Sequence, residues 1–216
     1  MEIQPAAAQY PVRLSIDYPD RDLDRLTTFF RIIVAIPILI VLAAVSGGGW
    51  NAGWDKGKDY VGFGAAAGGL LFFAPLLMIL FRQKYPRWWF DWNLNLFRFQ
   101  NRVFAYLALT NDRYPSTDEE QAVHIEIDYP DAQRDLTRWL PLVKWLLAIP
   151  HFIVLVLLGI VAFIVVIFAW FAILFTGRYP RGLFDFVEGV FRWGARVEGY
   201  ALLLVTDRYP PFSLQP

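Results

Sequence analysis

The chain has no cysteine and only two histidines and two methionines. Without a thiol there is no disulfide, no thiolate nucleophile and no Cys-held zinc or iron–sulfur centre. Net charge is lacking too: 20 Lys and Arg face 20 Asp and Glu. A nucleic-acid partner would need a strong basic excess, so none is expected. The sequence contains no HExxH, GxSxG, Walker loop or dinucleotide fingerprint, so neither an enzyme nor a cofactor is expected. The first 20 residues lack a basic segment running into an apolar one and do not read as a signal peptide.

What is abundant is apolar. Hydrophobic residues make up 56% and aromatic residues 18% of the chain, and the mean hydropathy is +0.38. In the first half two apolar runs, 29–45 and 61–81, reach the length that spans a bilayer. In the second half Trp139 to Phe175 is nearly continuous, with Lys144 and His151 as its ionisable groups. As one straight helix this run would be about 55 Å long, against a hydrocarbon core of ~30 Å. Two helices joined by a turn near Leu158-Gly159, or a re-entrant hairpin, are therefore expected.

Short motifs recur in order. Asp17-Tyr18-Pro19-Asp20 returns as Asp128-Tyr129-Pro130-Asp131, each after an alternating segment, 12–16 or 123–127. Ala35-Ile36-Pro37 returns as Ala148-Ile149-Pro150, and Tyr85-Pro86-Arg87 as Tyr179-Pro180-Arg181. Asp-Arg-Tyr-Pro closes both copies, at 112–115 and 207–210. Ordered repetition points to duplication. The organisation read from it is a flexible N-terminus over 1–9, a first repeat unit over 10–115, a linker over 116–122 and a second unit over 123–213. Each unit reads as a strand, a transmembrane helical hairpin and an interfacial amphipathic helix. The fold class expected is membrane α-helical, with two tandem units, four transmembrane helices and a small cytoplasmic α/β layer.

Every Lys and Arg except Lys56 and Lys58 falls on the side of the termini. By the positive-inside rule that side is cytoplasmic, making a multi-pass protein of the inner membrane with both termini inside. The amphipathic stretches 87–110 and 181–205 either dip into the headgroup boundary or pack on the protein's own hairpins.

The second unit carries Ala148-Ile149-Pro150-His151, then Ile173-Leu174-Phe175-Thr176-Gly177-Arg178-Tyr179-Pro180-Arg181. Phe191-Arg192-Trp193, Arg196-Val197 and Thr206-Asp207-Arg208-Tyr209-Pro210-Pro211-Phe212-Ser213 follow. Over 123–213 this pattern resembles a family of prokaryotic membrane proteins known only as a domain of unknown function. Over 10–115 the likeness is weaker: Ile38 replaces the histidine, and Phe81-Arg82-Gln83-Lys84 replaces Phe-Thr-Gly-Arg. The resemblance implies a membrane-embedded protein, often with the unit in tandem, and no particular activity.

Three groups of residues stand out. His151 follows a proline in an apolar run and is either an intramembrane polar site or a neutral imidazole bonded to a carbonyl that Pro150 frees. Arg98 and Arg102, like Arg192 and Arg196, are spaced to share a helix face. They either clamp a lipid headgroup or other anion, or pair with nearby acids such as Asp91, Asp185 and Glu188. Gly64, Gly68 and Gly69 offer small residues for close helix packing. Asp17, Asp20, Asp22 and Asp24 only approach a calcium loop and read as turn and helix-start residues. The function expected is a non-enzymatic membrane scaffold or accessory subunit that forms a homo-oligomer or joins a larger membrane complex, with membrane lipids as partners. An oligomeric pore or carrier for a small solute or ion, and a lipid-headgroup-binding membrane protein, are the alternatives.

Overall fold

The two alternating segments form strands that find each other. In the computed structural model, which describes residues 9–46 and 73–216, β1 (Val12–Ile16) and β2 (Val123–Ile127) pair antiparallel, with Leu14 opposite Ile125. Alternation puts Val12, Leu14, Ile16, Val123, Ile125 and Ile127 on one buried face. On the other face Arg13 bridges Glu126 at 3.2 Å and Asp128 at 2.9 Å. The helices, in chain order, are α1 (Arg25–Phe29), α2 (Arg31–Ser46), a π-helical turn (Met78–Arg82), α3 (Arg87–Leu107), α4 (Pro141–Leu147), α5 (Ile149–Thr176) and α6 (Arg181–Ala201).

A two-stranded sheet is marginal by itself, and here the amphipathic helices cover it. Each helix covers the strand of the other half: α6 packs on β1, and α3 on β2. Hydrogen bonds from Asp17 N to Ala122 O and from Asp128 N to Pro11 O make Leu14 and Ile125 a non-hydrogen-bonded pair, so their carbonyls point away from the ladder. Arginines meet both. Arg192 Nε donates to Leu14 O at 3.1 Å, and Arg98 donates twice to Ile125 O, at 3.1 and 3.0 Å. The free edges of the sheet are thereby closed.

The Tyr-Pro elements cross in the same way. Tyr18 Oη donates to Tyr179 O and Tyr129 Oη to Tyr85 O. Tyr18 stands edge-on to Phe184 at 5.0 Å, and Tyr129 to Phe90 at 5.1 Å. Pro86 and Pro180 are the N-caps of α3 and α6, one position before the first turn that their sequence suggests. Apolar helices form the third layer. α2 lays Ala35, Ile38 and Leu42 on Phe99, Val103 and Tyr106 of α3. The start of α5 packs on Trp193, Val197 and Tyr200 of α6.

Four transmembrane helices in two tandem hairpin units is not the architecture. Among the described residues one helix, α5, is long and apolar enough to cross a membrane. α2 has 16 residues, and the segment Phe73–Arg82 is shorter still. The expected turn at Leu158-Gly159 is absent, because α5 runs through it for 28 residues, about 42 Å. One glycine costs a helix about 1 kcal/mol, too little to break a run with no competing polar group. The chain breaks instead at Ala148, between α4 and α5, just before Pro150 in the first turn of α5. Gly64, Gly68 and Gly69 lie outside the described residues.

Candidate functional site

Pro150 starts α5 so that His151 turns inward toward α6. The imidazole is fully buried. Its Nδ1 lies 3.1 Å from Trp193 Nε1; an indole N–H can only donate, so Nδ1 accepts and the proton sits on Nε2. Phe212 stacks on the ring at 3.9 Å, and Tyr209 leans over it at 4.8 Å. The Ile-Pro-His, Arg-Trp and Tyr-Pro-Pro-Phe motifs thus meet in one aromatic box. The indole, not a carbonyl freed by Pro150, is the imidazole's partner. His124 lies elsewhere, 2.8 Å from Asp17 on the open face of the sheet.

Two turns before His151, Lys144 is also fully buried. Its ammonium donates to Thr206 O at 2.7 Å and stands 2.8 Å from Asp207 Oδ1. The Tyr200 ring lies 5.2 Å away. Burial pulls the Lys144 pKa down, and Asp207 opposes that shift. A buried cation, a tyrosine face and an aspartate therefore form one closed unit.

The first half holds a cation, a tyrosine and an aspartate at the corresponding motif positions, arranged differently. The Ala-Ile-Pro correspondence sets Arg31 opposite Lys144, and the later motifs set Tyr106 and Asp112 opposite Tyr200 and Asp207. Arg31 lies over the Tyr106 ring at 4.0 Å. Asp112, however, pairs with Arg21 at 2.7 Å. Arg31 is left 2% exposed, with no hydrogen-bond partner for any guanidinium nitrogen among the described residues. One turn earlier the buried Thr28 hydroxyl is equally without a partner there.

Arg31 and Thr28 belong to the wall of a cavity of about 1020 Å³ between α2, α3, α5 and α6. Most of the wall is apolar, including Phe104, Phe152, Phe163, Ile167, Val190 and Phe191. Gln100, Asn101 and Glu198 are its other polar members. Burial pushes the Glu198 carboxyl up to about 7, and a hydrogen bond to Gln100 opposes this.

The four arginines singled out in the sequence lie on α3 and α6, away from these clusters. Besides the two that close the sheet edges, Arg102 donates to Ser116 O at 3.1 Å, and Arg196 to Ser213 O and Gln215 O at 3.3 and 2.7 Å. Arg192 also meets Glu188 at 2.6 Å. Main-chain carbonyls, more than acids, meet these guanidinium groups. Among the described residues no three His, Asp or Glu side chains are placed to hold a metal ion. Asp24 caps α1, accepting from Leu26 N at 2.7 Å. Sequence reasoning passed over Lys144 as a site and over Arg31. The signal available was their shared position, four residues before each Ala-Ile-Pro motif.

These features define a layered protein with a charged α/β side and an apolar helical side. Residues 138–213 form a domain that matches the family described as a domain of unknown function, DUF4389. That stretch holds α4, α5, α6 and the whole histidine box. No curated protein and no solved structure matches the chain.

Proposed function

We propose that the chain is a non-catalytic scaffold or accessory subunit of a prokaryotic cytoplasmic membrane, held there by the apolar side of the layered fold. The observation that carries this reading is α5. It has no charged residue, its most apolar window has a hydropathy of 3.4, and 6% of that window is buried. Ile153, Val156, Leu157, Ile160, Phe163 and Phe168 are all exposed. A continuous apolar surface of this kind marks a membrane or protein contact.

Both ends of α5 are tied to the same charged body. His151 sits under the C-terminal tail, while Gly177 O accepts from Leu23 N at 2.8 Å and Arg178 meets Asp22 at 2.8 Å. In this reading these two attachments hold α5 along the leaflet, and the charged layer faces the cytoplasm. The first half is a diverged copy of the strand and Tyr-Pro helix elements of the second; the crossed tyrosine and arginine contacts favour that view. Exposed Trp88, Trp92, Trp139 and Trp145 favour further contacts with lipid or with other subunits.

The absence of native cysteine makes the test direct. Single cysteines replacing Gln133 and Arg178, before and after α5, should both react with an impermeant maleimide from the cytoplasmic side. Labelling from opposite sides would overturn the in-plane placement. At native abundance in a mild detergent, the particle should be larger than one 25.0 kDa chain with its detergent. A lone monomer, in detergent and in nanodiscs alike, would refute the scaffold role.

A further inference from the structure

One apolar cavity of the described structure holds in its wall a cation that meets the Tyr106 ring but no hydrogen-bond acceptor among the described residues. Arg31 is 2% exposed and its three guanidinium nitrogens lack acceptors among the described residues. The corresponding Lys144 has Asp207 and Thr206 O, so the fold can neutralise a cation at this place when it needs to. In the first half Asp112 is drawn off to Arg21. A buried cation that has an aromatic face but no hydrogen-bonded anion is costly, and a ligand that supplies the anion would remove that cost.

The rest of the cavity says what such a ligand carries behind its anionic head. At about 1020 Å³ it stands at the top of the ~300–1,000 Å³ range of small-ligand pockets. Its lining is aliphatic and aromatic, with Gly159 and Gly194 adding room: a Cβ at either would meet nothing within 4 Å. Ile32, Phe163 and Phe104 line it and are exposed, so its rim is apolar. Chains can therefore enter from lipid without crossing a polar barrier. Glu198 shares the wall, and its burial favours the neutral acid, which spares an anion in the cavity a full opposing charge.

We propose that this cavity binds one anionic two-chain phospholipid, its phosphate on Arg31 with the Thr28 hydroxyl beside it, and its acyl chains between α5, α3 and α6. The guanidinium fork matches a phosphate in geometry and charge. The ligand identity rests on the membrane reading above. The binding is measured on purified protein and does not depend on the placement of α5 or on the particle size.

The experiment uses the full chain purified in a mild non-ionic detergent. Native mass spectrometry should find close to one phospholipid per chain. Added phosphatidylglycerol should raise the thermal midpoint more than phosphatidylcholine does, and inorganic phosphate should not raise it. Arg31→Gln should weaken phosphatidylglycerol binding about tenfold or more, the scale of a lost charge-assisted hydrogen bond. Gly194→Leu, which fills the cavity and keeps Arg31, should weaken binding of both lipids. Asp112→Asn serves as the control and should leave binding intact. No retained lipid, equal affinity for the two phospholipids, a fatty acid in place of a phospholipid, or an Arg31→Gln protein that binds as the parent does would each overturn the proposal. So would loss of stability without loss of binding in Arg31→Gln, which would make Arg31 a packing partner of Tyr106 and no ligand-binding residue.

Discussion

Gly199 is a point of close approach between α6 and β1. A Cβ there would stand 2.7 Å from Val12 Cγ2, and Val12 is a short, branched, 1% exposed side chain with no room to swing away. Two effects oppose each other in Gly199→Ala. Helix propensity favours alanine by about 1 kcal/mol. Overpacking of a filled core costs about 1–3 kcal/mol, and an overlap this deep against a rigid neighbour belongs in the upper part of that range. The net expectation is a loss of about 1–2 kcal/mol, or roughly 2–8 °C in thermal midpoint for a chain of this size. Gly194, on the same helix, meets nothing within 4 Å, so Gly194→Ala keeps the propensity gain and should raise the midpoint. Val12→Ala removes the colliding carbon, and the Val12→Ala/Gly199→Ala double variant should cost less than the sum of the single changes. Tryptophan fluorescence during heating in mild detergent reads all four proteins. Stabilisation by Gly199→Ala, or strict additivity with Val12→Ala, would show that α6 does not lie on β1.

Three further outcomes follow from the same geometry. Gly159→Ala should stabilise by about 1 kcal/mol, because the residue is inside a continuous helix with open space beside it; a lower midpoint would restore a turn at this position. Lys144→Met and Asp207→Asn should each cost about 3–5 kcal/mol by leaving a buried charge or carbonyl unanswered, while Lys144→Met/Asp207→Leu should recover much of that loss; equal, additive losses would mean that the pair is not coupled. Glu198 has its carboxyl raised from 4.5 to about 7 by burial, so the folded state holds a proton that the unfolded state has released. Stability should therefore fall as pH rises from about 4.5 through about 7, and Glu198→Gln should flatten that part of the profile; an unchanged slope would place the titration elsewhere.

Local features of the chain foretold local structure well. Alternation over 12–16 and 123–127 becomes β1 and β2, since a two-residue period commits one face of a strand to burial. The three- and four-residue steps after each Tyr-Pro become α3 and α6 for the matching reason. What covers those faces was not legible: amphipathic periodicity declares that a face must be buried, not which element buries it. Hence the crossing of each helix onto the other half's strand, and the arginines spent on strand carbonyls, appear only in three dimensions.

The apolar run over 139–175 carries no periodicity, so composition alone could not say where it breaks. A length argument placed the break at Gly159, whereas the missing N–H of Pro150 outweighs a glycine's small helix cost and moves it to Ala148. The histidine motif was visible in the sequence, but its indole partner required α6 and the tail to fold over α5. By itself the sequence determined the motifs, their repetition, the strands, the amphipathic helices and the apolar character of α5. The tertiary structure alone decided that Lys144 meets its aspartate while Arg31 does not, because Arg21 reaches Asp112 across a fold that brings the beginning of the first half to its end.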